Sequence, residues 1–147
     1  MITAIIGVVG TLAGGILGFW GAVKAAHSQH FFASGTNLKH AFLDVLVLLR
    51  QPSETFIDLY VIEIMEKSFF KHEMAVVEFR YSLPVYERNN FDNAWRKYYE
   101  SDGEGNHSLT KKYFGRPNWQ EDALSNIEGI LKFTECTAFL IRNRKIT

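Results

Sequence analysis

The chain has 147 residues, 16 basic and 16 acidic side chains, a formal net charge of zero and a 47% hydrophobic composition. That length holds one ordinary core of about 110–120 residues beside an accessory segment, and the neutral balance gives no support for a nucleic-acid protein, which usually shows a basic face. Cys136 is the only cysteine, which excludes a disulfide framework and a cysteine-based metal cluster and suits a reducing compartment.

Residues 2–23 carry no charged side chain. At about 1.5 Å per residue this run matches the roughly 30 Å hydrocarbon core of a bilayer. It exceeds the usual signal-peptide core of about 7–15 residues and lacks a positively charged start, so an uncleaved anchor is expected. Lys24 and Lys39 follow the run and only the terminal amine precedes it. The positive-inside rule then places the N-terminus outside and the C-terminal domain in the cytoplasm. The first helix is expected to continue through Lys24, His27 and His30 to about Phe32, and Gly35 marks a bend. The resulting division is 1–32, a transmembrane helix with its juxtamembrane extension, and 33–147, a cytosolic α-helical domain.

Residues 37–50 form the next predicted helix, with Leu38, Ala41, Phe42, Val45, Leu48 and Leu49 at helical spacing. Pro52 ends it and Ser53 is placed to cap a helix over 54–68, whose apolar pattern is less clean. A helix over 71–83 follows, stopped by Pro84, then a short amphipathic one over 91–100 with Phe91, Trp95 and Tyr98 on one face. Residues 101–118 read as a surface loop. Asn118 and Glu121 compose a capping box for a last helix from Trp119 to about Phe139, with a buried stripe through Ala123, Ile127, Ile130, Leu131, Phe133 and Thr134. Val76, Val77, Phe79, Phe91, Trp95, Ile127, Ile130 and Phe133 are the expected domain core, and Glu78, Arg80, Arg96 and Glu128 are candidate charged pairs at its edge. The fold class is therefore all-α.

Glycine placement in the first helix carries the strongest signal. At 100° per residue, Gly7, Gly10, Thr11, Gly14, Gly18, Gly21, Ala22 and Ala25 fall, with a few other small residues, inside a sector of roughly 140°. Large side chains such as Ile5, Val9, Leu12, Ile16, Phe19, Trp20 and Val23 hold the other side. Lipid is indifferent to side-chain size, whereas a neighbouring helix is not, because small residues let backbones approach. Six glycines at about 1 kcal/mol each against alanine need a compensating contact. These residues are the candidate oligomer interface, resembling in geometry a glycine zipper; the span has no carboxylate to mark an ion path.

The remaining motifs favour no chemistry. His72-Glu73 opens a zincin motif, but Val76 stands where the second histidine belongs. No Walker lysine, dinucleotide fingerprint or local nucleophile-base signature is present. Phe91, Trp95, Tyr98 and Tyr99 beside Arg96 and Lys97 have the spacing of a core-facing helix more than of a base-stacking platform. Cations outnumber anions three to one up to Arg50 and seven to four after residue 105, while anions lead eleven to six between; ordinary solvated faces account for this, with attraction of the ends to an anionic membrane as the alternative. No enzyme activity, metal, cofactor or nucleic acid is expected.

Three stretches, residues 71–80 (Lys-His-Glu-Met-Ala-Val-Val-Glu-Phe-Arg), 91–99 (Phe-Asp-Asn-Ala-Trp-Arg-Lys-Tyr-Tyr) and 123–134 (Ala-Leu-Ser-Asn-Ile-Glu-Gly-Ile-Leu-Lys-Phe-Thr), together resemble bacterial membrane-anchored small helical proteins of unknown function. The resemblance implies a bacterial inner-membrane setting and carries no activity and no functional residue. The expected function is that of a single-pass scaffolding subunit that homo-oligomerises in the lipid bilayer and presents a cytosolic domain to a protein partner. The alternative is a pore-forming or membrane-perturbing effector of a mobile-element or defence system.

Overall fold

The computed structural model describes residues 2–51, 58–101 and 108–135, except for the side chains of residues 2–17, 24 and 58. Among the described residues there are five helices and no strand. α1 (Ile2–Leu49) is a single helix of 48 residues, about 72 Å long at 1.5 Å rise per residue. α2 (Asp58–Ser82), α3 (Val85–Tyr99), α4 (Leu109–Tyr113) and α5 (Trp119–Leu131) pack around its C-terminal half.

The expected bend at Gly35 does not occur: α1 continues helically through the glycine, which lies where helices pack together. Gly35 is buried, and a Cβ built there would lie 3.4 Å from the Phe79 ring and 3.7 Å from Thr134. Its neighbour Ser34 donates to the Phe31 carbonyl and to Ser82 Oγ, at 3.2 and 3.0 Å, where α1 crosses α2. The helix therefore runs straight across the expected boundary between residues 32 and 33. α1 closes at Leu49, with the Arg50 N–H on the Leu46 carbonyl; Pro52 and Ser53 lie outside the described residues.

α2 runs antiparallel to α1, as Phe31–Phe79, Ser34–Ser82, Phe42–His72 and Asp44–Lys71 contacts show. It is one helix where the apolar pattern suggested two. Its inward residues, Val61, Ile62, Met65, His72, Val76 and Phe79, are all at most 3% exposed and repeat at three, four and seven, so the periodicity is continuous across the expected gap. Val77 is a correction: it is 44% exposed, because it sits about 100° round the helix from the inward Val76. Met74 and Tyr81, 55% and 64% exposed, share that outer face. Ser82 is the last helical residue and Pro84 is the N-cap of α3, which begins at Val85, six residues earlier than expected.

α3 turns Phe91, Trp95 and Tyr98 inward, onto Phe79, Phe42 and His72. α5 seals the remaining side with Ala123, Ile127 and Ile130 fully buried and Thr134 just beyond it; Leu131 and Phe133 pack at the margin. Each large side chain fully removed from water contributes about 1.5–3 kcal/mol. The capping box before α5 is absent: Asn118 takes the left-handed conformation, φ 59°, and its side chain caps nothing. Asparagine tolerates that region, and here the Asn118 carbonyl, accepting from the Asp122 N–H at 3.1 Å, starts the helix.

Candidate functional site

Two regions stand apart from the core. The first is α1 before Phe31. Gly18, Gly21, Ala22 and Ala25 are exposed, and a Cβ on Gly18 or Gly21 would meet nothing within 4 Å. On the opposite side Phe19, Trp20 and Val23 are 69%, 68% and 48% exposed. A helix that is apolar on both sides, as this one is over residues 18–23, normally lies in a core or a membrane, yet none of the described residues covers it. Gly7, Gly10, Thr11 and Gly14 lie outside the residues whose side chains are described. Among the described residues no helix is long and apolar enough to cross a membrane; most of the uncharged run falls in the undescribed side chains.

The second region is a polar groove of about 660 Å³ between α3, α4 and α5, lined among others by Asn93, Arg96, Lys97, Glu100, Lys112 and Arg116. Several of its charges serve the ends of helices. Lys112 donates to the Lys97 carbonyl and, at 3.0 Å, to the Glu100 carbonyl, placing a cation on the negative end of α3. Arg96 donates to the Asn93 side chain one turn back. Nearby on α2, Glu66 accepts from the Thr110 N–H at 3.0 Å and from the Ser108 and Thr110 hydroxyls at 3.1 and 2.9 Å. The Thr110 backbone donor is the main reason its carboxyl is held below the usual range, with the hydroxyls adding to it and slight burial opposing. Arg88 likewise donates to the Leu83 and Tyr81 carbonyls at the end of α2. Neighbouring helices thus cap one another's free backbone groups.

Beneath the groove lies a buried polar chain. Asn126 donates to Tyr113 Oη at 3.1 Å, and Tyr113 donates to the Tyr98 carbonyl at 2.8 Å. The Tyr98 hydroxyl is 3.2 Å from His72 Nδ1, whose ring stacks on Phe42 at 4.2 Å. The other ring nitrogen of His72, Nε2, meets no partner of normal hydrogen-bond geometry, and the ring's tautomer decides whether Tyr98 or Nδ1 donates. Burial, with Lys71 adding to it, pushes His72 down to about 4. Burial likewise raises the Tyr98 and Tyr113 phenols well above their usual range. All three are neutral near pH 7 and form a structural network. Among the described residues, the groove lining holds no histidine or cysteine to activate a nucleophile, and no three His, Cys, Asp or Glu side chains are grouped to hold a metal ion.

The sequence-derived core residues converge: Val76, Phe79, Phe91, Trp95, Ile127 and Ile130 are buried and Phe133 is partly so, with only Val77 turned away. The edge charges take partners other than one another. Arg80 forms a two-pronged pair with Asp92 at 2.7 and 2.9 Å, Glu128 meets Arg50 at 3.3 Å, and Glu78 accepts from Asn37. α4, with Leu109 and Tyr113 buried, lies inside the expected loop; those two residues one turn apart and Ser108, whose hydroxyl accepts from the Lys111 N–H as an N-cap, were its sequence signals. No protein family, curated protein or solved structure matches the chain.

Proposed function

We propose that this chain is a membrane-anchored scaffold subunit of a bacterial inner membrane. The N-terminal part of α1 lies in the bilayer and meets other copies along its small-residue face, and the helical domain is held on the cytoplasmic side to recruit a protein partner. The observation that carries this reading is the bare stretch of α1: an apolar helix with an uncovered small face at Gly18, Gly21, Ala22 and Ala25, continuing a run of 22 residues without a charge. Such a run spans about 33 Å, and Lys24 stands at its inner end, where a cation meets the headgroups. Trp20, one turn earlier, suits the same interface.

The test is fractionation of cells expressing the full chain, followed by sizing of the detergent-extracted protein. A protein that stays in the carbonate-washed membrane pellet and elutes as a discrete oligomer supports the proposal; one released without detergent defeats it. The breadth of the small face favours a second reading, a ring whose helices are touched on two sides and enclose a pore. Depolarisation of cells on induction, relieved by substitutions on the glycine face, separates that reading from the scaffold.

A further inference from the structure

Because α1 does not bend at Gly35, its angular phase is preserved from the apolar run into the domain. Counted at 100° per residue, Phe32, Thr36, His40, Leu43 and Val47 fall in the same sector as Gly18, Gly21 and Ala25. That sector faces away from α2, and at its α5 edge Phe32 and Thr36 border a void beside Thr134. Phe32, Leu43 and Val47 are 52%, 49% and 52% exposed, and Thr36 and His40 are exposed as well. Among the described residues, a stripe of large apolar side chains is thus left uncovered on α1, in line with the small-residue face.

We infer that the contact between α1 helices of two copies continues beyond the bilayer as a parallel seam through Phe32, Thr36, His40, Leu43 and Val47. This rests on the reading of α1 as a self-associating helix. The spacing from Thr36 through His40 and Leu43 to Val47 alternates four, three and four, the heptad rhythm of two-helix packing. Val47 falls at an a position and Leu43 at a d position, the β-branched and γ-branched choice that favours two parallel strands.

Charge supports the same partner. Lys39 precedes an a position and Asp44 follows a d position, so they occupy g and e, on opposite edges of the stripe. In parallel helices a g residue faces the e residue five positions later on the partner, and Lys39 and Asp44 are five apart. Lys39 therefore meets Asp44 of the second copy, and the reverse. Both side chains keep over half of their surface exposed, at 51% and 73%, while touching Glu135 and Lys71 within the chain, so both remain within reach of a second copy.

The experiment uses the full chain in detergent or nanodiscs with Cys136→Ser. Single cysteines are placed at Leu43, Val47 and Ala25, with Met74 on the outer face of α2 as the control, and the proteins are oxidised. Covalent dimers at positions 43, 47 and 25 but not 74 support the seam. Dimers at 25 alone overturn it and leave the membrane contact standing; dimers at none of the three overturn both. Dimers at 43 and 47 without 25 uphold the seam and overturn the contact within the bilayer. Charge reversal gives a second arm. Lys39→Glu or Asp44→Lys alone weakens association by roughly fivefold, and the two together restore it, although each breaks its pair within the chain. Failure of the double variant to recover overturns the parallel register.

Discussion

Between Phe31 and Leu49, α1 buries Leu38, Phe42 and Val45 completely; between Gly18 and His30 none of its described residues is buried. Both stretches belong to one unbroken helix, yet only one packs against other described residues of the chain. The comparison separates helix formation from helix justification. In the C-terminal half, Gly35 is buried against Phe79 and Thr134. In the N-terminal half, Gly18 and Gly21, each costing about 1 kcal/mol in a helix interior, have no such contact within 4 Å. On the proposed reading, lipid and other copies of the chain supply that contact.

The largest expected effect breaks the comparison at its buried end. Phe42→Ala should cost about 3–5 kcal/mol by removing a fully buried ring from beside His72 and Tyr98, whereas Trp20→Ala should leave the domain's unfolding midpoint within about 0.5 kcal/mol of wild type. Denaturant titration of the two variants checks this. Equal losses would mean that the two halves are not separately supported.

Next comes acid. His72 is held near 4 in the folded protein against an ordinary 6.5. The unfolded chain therefore binds more protons between those values, so the stabilisation is whole above about pH 6.5 and is lost as pH falls toward 4, about 3 kcal/mol in all. Unfolding midpoints at pH 7, 5.5 and 4.5 should decline accordingly, and His72→Phe should flatten that decline. A wild-type profile already flat over this range would place His72 in contact with water.

Smaller effects sharpen the role of the two kinds of glycine. A void of about 70 Å³ borders Gly35, lined in part by Phe31 and Thr134, so Gly35→Ala should be neutral or gain up to about 1 kcal/mol in thermal unfolding. Gly35→Leu should lose about 1–3 kcal/mol by overpacking against Phe79. Smallest is Glu66→Ala, which should lose about 1 kcal/mol through the uncapped start of α4, seen as faster hydrogen exchange at Leu109–Tyr113 than elsewhere.

The all-helical class and most of the core were legible in the sequence, because Phe91, Trp95, Ala123, Ile127 and Ile130 repeat with the period of a helix face. Pro84 was an equally local signal. What was not legible depended on partners distant in sequence. Gly35 reads as a turn until Phe79 and Thr134 are placed beside it. α4 is too short to show a period; its N-cap Ser108 is local, but the further cap on Thr110 comes from Glu66, 44 residues before it. Val77 reads as core because an adjacent pair of valines does not reveal which one points inward. The stripe through Phe32, Leu43 and Val47 was masked by the expected bend, which would have broken its phase with the glycines.

Sedimentation of the detergent-solubilised full chain, wild type against Gly14→Leu, tests the central claim most directly. Wild type should sediment as one discrete oligomer and the variant as a monomer, with the domain melting at the same temperature in both. A wild-type protein that is already monomeric in detergent, or an oligomer that Gly14→Leu leaves intact, would contradict the account.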